Sequence, residues 1–169
     1  AINAAVALLQ GNEPEAEGSF DNGVKEVPAI PSEVIAVDAE NVQEALIDSG
    51  YYSADEFTGL EGGGEGGAEL EGELAVGIVL PTKDEPRWIQ DETRFQNALD
   101  EAGYEAEILF SQGSSAKEKE NVEALITKGV KVLIICPHDG TAAAAAAEAA
   151  AEAGVSVISY DRLIRDTEA

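Results

Sequence analysis

From residue 74 onward the chain alternates short apolar runs with longer segments in which apolar positions recur every three or four residues. Residues 75–80 and 130–135 are near-continuous apolar runs, the pattern of strands covered on both faces. Residues 104–110 and 155–159 complete a set of four predicted strands. Between them, Trp88, Phe95, Leu99 and Ala102 recur on one side of a helix with Pro86 in its first turn. A second helix is capped by Ser114 or Ser115, turns Val122, Leu125 and Ile126 inward and ends at Gly129. The alanine-rich run 142–153 has very high helix propensity, and Gly154 stops it. Strands joined by helices in this order predict an α/β fold, a doubly wound parallel sheet in three layers.

The front of the chain is less regular. Ile2, Ala5, Val6 and Leu9 share one helical face, which Gly11 ends, so residues 2–10 form a natural cover for one face of the sheet. No capping residue precedes this helix, as if its lead-in were missing. Asn12 to Gly23 is polar and turn-rich. Residues 27–37 read as extended, but Pro28 and Pro31 fit an edge or hinge better than a central strand. Asp38 can cap a short helix over 41–48, ended by Gly50. Residues 59–73 interleave glycine with glutamate, a flexible linker composition. That stretch lacks the Lys-Ser/Thr ending of a phosphate loop and follows no strand.

The formal net charge of −24 over 169 residues argues against nucleic acid or an anionic membrane surface as partner, because both demand clustered Lys and Arg. No apolar stretch is long enough to cross a bilayer, and the first residues carry no export-signal pattern. Cys136, the only cysteine, ends an apolar run and reads as a buried, inert thiol. His138, the only histidine, stands two residues away with no third group to orient it, so catalysis is not expected. The sequence shows no metal-ligand spacing and calls for no cofactor.

Ligands of open parallel α/β sheets sit beyond the carboxyl ends of the strands. There the chain carries Lys83, Arg87 and Trp88 after the first strand, His138 and Asp139 after the third, and Asp161 and Arg162 after the fourth. Carboxylates accept from two hydroxyls, the arginine fork donates to two oxygens, and an aromatic ring offers an apolar face. That chemistry suits a neutral sugar. Each residue also has a plainer reading: Trp88 as core, Arg87 as a surface charge, Asp161 and Arg162 as a cap and ion pair, and Asp139 as a helix N-cap.

At these residues the chain resembles the sugar-binding proteins of ABC transporters, type I periplasmic binding proteins, in their xylose and multiple-sugar branch. Val76-Gly-Ile-Val-Leu-Pro-Thr-Lys with Pro86-Arg-Trp is similar to that family's first strand and ligand loop. Lys128-Gly-Val-Lys-Val-Leu-Ile-Ile and Val157-Ile-Ser-Tyr-Asp-Arg-Leu-Ile are similar to its third and fourth. The resemblance implies a non-catalytic receptor lobe for an aldopentose or aldohexose. Arg87, Asp161 and Arg162 would contact the sugar, His138 would line the cleft and Trp88 would form a stacking wall. Lys83 and Asp139 are further candidates.

The front segment resembles the same family's far end, in Ala4-Ala-Val-Ala-Leu-Leu-Gln-Gly, Asp21-Asn-Gly-Val-Lys-Glu-Val-Pro and Leu46-Ile-Asp-Ser-Gly-Tyr-Tyr. The implied organisation is a circularly permuted, rearranged or engineered single lobe: residues 1–58 completing it, 59–73 as linker and 74–169 as the N-terminal sugar-binding lobe. The alternative is an interaction module, or half of a split receptor or sensor, that pairs with a complementary lobe while sugar bridges the two. By the same resemblance the natural partner is an ABC permease and the natural location extracytoplasmic.

Overall fold

A computed structural model describes residues 1–32, 35–37, 41, 43–48 and 74–169. Contacts divide the chain into one unit formed by Ala1–Ile30 with Glu69–Ala169 and a second, Pro31–Ala68. In the second unit a π-helical turn spans Gln43–Asp48, braced by Gln43 Nε2 donating to Asp48 Oδ1 at 2.9 Å. The expected helix over 41–48 is thus seen as a wider turn over 43–48, and its expected cap, Asp38, and end, Gly50, lie outside the described residues. The expected linker at 59–73 lies outside the described residues.

The first unit is built on four parallel strands, β3 (Leu74–Leu80), β4 (Glu105–Phe110), β5 (Val132–Ile135) and β6 (Ser156–Ser159), in the order β4-β3-β5-β6. Helices α2 (Pro86–Ala102), α3 (Ser115–Thr127) and α4 (Ala144–Glu152) connect them, and α1 (Ile2–Leu9) opens the chain. Side chains of a strand alternate between faces, and the core divides accordingly. Val76, Ile78, Leu80, Val132, Ile134 and Cys136 pack with Trp88, Phe95 and Leu99 of α2 and Ala5 of α1. Val79, Leu133 and Ile135 pack on the other side with Val122 and Leu125 of α3 and the alanines of α4. The result is the three-layer α/β/α fold that the sequence predicts, with α1 covering the α2 face.

Gly77 explains how α3 approaches so closely. A Cβ there would stand 2.9 Å from Leu133 Cδ2 and 3.0 Å from Leu125 Cδ1, so only a hydrogen fits.

One element was not expected. Within the segment read as polar turns, β1 (Gly18–Asp21) pairs antiparallel with β2 (Glu26–Ala29), a hairpin confined to the start of the predicted extended stretch. β1 is exposed throughout and shows no hydrophobic alternation, while β2 alternates only between exposed and half-buried positions. What holds the hairpin is polar. Asn22, 2% exposed, accepts from the amides of Val24 and Lys25 through Oδ1 and donates Nδ2 to the Thr167 carbonyl. Its own carbonyl accepts from the Asp166 amide, tying the hairpin to the segment after β6.

Candidate functional site

The chain passes from β3 outward to β4 and then back past β3 to β5, so the connections after the paired strands β3 and β5 lead to opposite sides of the sheet order, the place where ligands of such sheets sit. The loop after β3 leads directly into α2, and Pro86 at its first position presents Arg87 and Trp88 at the helix start. Ser159 pins the loop after β6: its Oγ donates to the Arg162 carbonyl and accepts from the Ile164 amide. The turn holds Asp161 at φ +63°, a left-handed conformation that Asp tolerates better than most residues.

These two loops meet. Arg87 Nη2 donates to Asp161 Oδ1 at 2.5 Å, and Arg87 Nε lies 3.8 Å from Asp91 Oδ2. The Arg87 guanidinium sits over the Trp88 ring at 4.5 Å and that of Arg162 at 5.8 Å, within cation–π range. Arg162 Nη1 reaches back to the Pro137 carbonyl at 3.2 Å, linking the loop after β6 to the loop after β5. Burial opposes the charge on Arg87, but the hydrogen bond and charge of Asp161 outweigh it, so its pKa is raised. Arg87 stays charged at any physiological pH.

Trp88 is 1% exposed and belongs to the core cluster. Its ring therefore supports two guanidinium groups and offers no open wall; a ligand reaching its face would have to displace them. Its indole N–H is buried without an acceptor among the described residues.

The other expected residues make contacts of their own around this pair. Lys83 bonds to Glu92 at 3.0 Å and lies 4.4 Å over the Phe110 ring, away from the Arg87–Asp161 pair. Asp139 acts as a cap before α4, its Oδ1 accepting from the amides of Thr141 and Ala142. It also lines a cleft of about 350 Å³ with Gly140, Thr141, Arg162, Leu163 and Arg165. His138 is exposed beside the loop after β4, where Gly113 faces its ring. Cys136 is fully buried, and burial, with Asp161 adding, pushes its thiol up to about 12.

Three supporting residues were not singled out from sequence. Asp91, 5% exposed, accepts from Tyr160 Oη at 3.1 Å and from Arg94 at 3.3 Å. Tyr160 meets Phe95 edge-on with ring centroids 5.0 Å apart. Glu118, 1% exposed, accepts from the His138 amide at 2.7 Å. A usable signal existed, since Asp91 and Glu118 occupy positions inside the apolar stripes of Trp88, Phe95 and Leu99 and of Val122 and Leu125. A carboxylate in such a stripe is retained only with a partner.

Residues 76–169 match the periplasmic binding protein domain family. The chain belongs to that family. This periplasmic binding domain is 40% identical over 92 residues to the multiple sugar-binding periplasmic receptor ChvE of Rhizobium radiobacter, covering 54% of the chain and 26% of the receptor. Among solved structures it superposes on a carbohydrate transporter solute binding protein from Chloroflexus aurantiacus, in complex with D-glucose, at a TM-score of 0.54. The two are 86% identical, over 56% of this chain and 28% of that one. An ABC transporter solute binding protein from Clostridium phytofermentans, with bound β-D-glucose, follows at 35% identity and a TM-score of 0.55, covering 56% of this chain and 29% of that one. The chain thus spans about a quarter of the length of the relatives it matches first.

Proposed function

We propose that this domain binds a monosaccharide without catalysis, as one lobe of an ABC-transporter solute receptor. The observation that carries the reading is the convergence of Arg87, Asp161 and Arg162 at the carboxyl edge of the sheet, gathered around Trp88. Two guanidinium forks and a carboxylate, side by side and solvent-accessible, match the donor and acceptor pattern of vicinal hydroxyls. His138 and the cleft beside Arg162 extend the same edge. The similarity to receptors whose complexes hold glucose supports an aldohexose, with aldopentoses as close competitors.

In this reading the binding chemistry is half of a clamp. Sugar sites reach high affinity by enclosing the ligand, so one face alone binds weakly. A complementary lobe and an ABC permease are the partners the reading implies, and the working location is extracytoplasmic. Titration calorimetry of D-glucose, galactose, xylose and arabinose against the chain tests it. Millimolar or tighter binding that vanishes in Arg162→Ala is the expected result. Binding that survives both Arg162→Ala and Asp161→Asn would place the site elsewhere.

A further inference from the structure

Glu118 is a fully buried carboxylate that the sugar-facing residues do not use directly. It projects from the first turn of α3, and its Oε2 accepts from the His138 backbone N–H at 2.7 Å. One residue earlier in the same loop, the Pro137 carbonyl accepts from Arg162 Nη1 at 3.2 Å. The loop after β5 is therefore gripped on both sides of one peptide unit, by a carboxylate from below and a guanidinium from the binding edge. A carboxylate accepting a backbone amide forms a stronger bond than a neutral pair. Burying Glu118 is unfavourable, and an apolar residue there would continue the stripe of Val122 and Leu125.

From this geometry we infer that Glu118 is a positioning residue: it sets the loop 137–140 and, through the Pro137 carbonyl, the placement of the Arg162 guanidinium for ligand. The His138 amide is held inward, so the preceding carbonyl faces Arg162. Without the carboxylate that peptide unit is free to rotate, and Arg162 loses the acceptor that orients its fork. Its effect on sugar affinity rests on the proposed function; its effect on the loop does not.

Two variants of the whole chain separate these effects. Glu118→Gln keeps a carbonyl acceptor, whereas Glu118→Leu keeps volume and removes it. In the absence of sugar, amide exchange at His138 is expected to be slow in the parent and in Glu118→Gln, and about 10-fold or more faster in Glu118→Leu. The Arg162 Nε resonance should shift in Glu118→Leu alone. D-glucose affinity, measured by calorimetry, should fall about 10-fold in Glu118→Leu and largely recover in Glu118→Gln. Unchanged His138 exchange or an unmoved Arg162 resonance in a folded Glu118→Leu protein would overturn the inference. A parent chain that takes up no sugar while exchange still follows Glu118 would sink the sugar reading and leave the loop mechanism standing.

Discussion

Arg87 and Asp161 are separated by 74 positions in the chain, yet Nη2 of the first donates to Oδ1 of the second at 2.5 Å. The pair joins the start of α2 to the turn after β6, across the carboxyl edge of β3 and β5. Arg87 is 47% and Asp161 25% exposed in their side chains, so solvent screens the pair and its worth to stability is small. Under the proposed function, the pair positions two groups toward the sugar.

Stability and binding should therefore separate at Asp161. Asn tolerates the left-handed conformation at φ +63°, so Asp161→Asn is expected to cost no more than about 1 kcal/mol. Asp161→Ala should cost about 1–2 kcal/mol more for the strained backbone. Both should weaken D-glucose binding about 10-fold or more, through loss of the charged acceptor. Chemical denaturation beside calorimetry checks the two scales independently.

Gly77 sets the spacing between the sheet and α3. Gly77→Ala forces a methyl against Leu133 and Leu125, and overpacking of this kind costs about 1–3 kcal/mol. The urea midpoint should drop with an unchanged slope. An Ala variant as stable as the parent would mean that α3 can move away freely.

Asn22 ties the hairpin to the segment after β6. Asn22→Ala leaves the Val24 and Lys25 amides and the Thr167 carbonyl without their partner, at a cost of about 1–3 kcal/mol. Amide exchange should quicken at Val24, Lys25 and Asp166 while β3 and β5 stay protected.

The alkaline limb of stability should report Tyr160. Burial, and then the charge of Asp91, raise its hydroxyl to about 12. The folded state holds that proton more tightly than the unfolded chain, so its contribution is complete below the ordinary tyrosine value and is lost as pH rises towards about 12. Ultraviolet titration should show a late tyrosinate phase that Tyr160→Phe abolishes.

Glu118 gives the corresponding prediction at the acid end. Burial raises its pKa, and the His138 amide and Arg162 only partly offset that. Stability from its protonated form is present below the ordinary carboxyl value and is lost as pH rises through the raised one. Melting temperatures measured from about pH 4 to about pH 7 should shift in favour of Glu118→Gln as pH increases.

The hydrophobic pattern by itself determined the α/β order, the four parallel strands, the covering role of α1 and the burial of Cys136, because periodicity reports which faces leave water. It also identified the edge where Arg87, Asp161 and Arg162 converge, since connectivity places successive strand ends together. The tertiary structure decided what those side chains do there. Trp88 reads equally as a wall or as core, and only packing shows its ring beneath two guanidiniums. Lys83 and Asp139 are adjacent to the site in sequence, but Glu92 and the turn before α4 offer them nearer partners. β1 carries no apolar alternation, and the hairpin is tied down by Asn22 and Lys25 bonding to residues more than a hundred positions away. Local propensity encodes none of these, because a polar side chain's role is set by the partner that reaches it, and that partner is chosen by the fold.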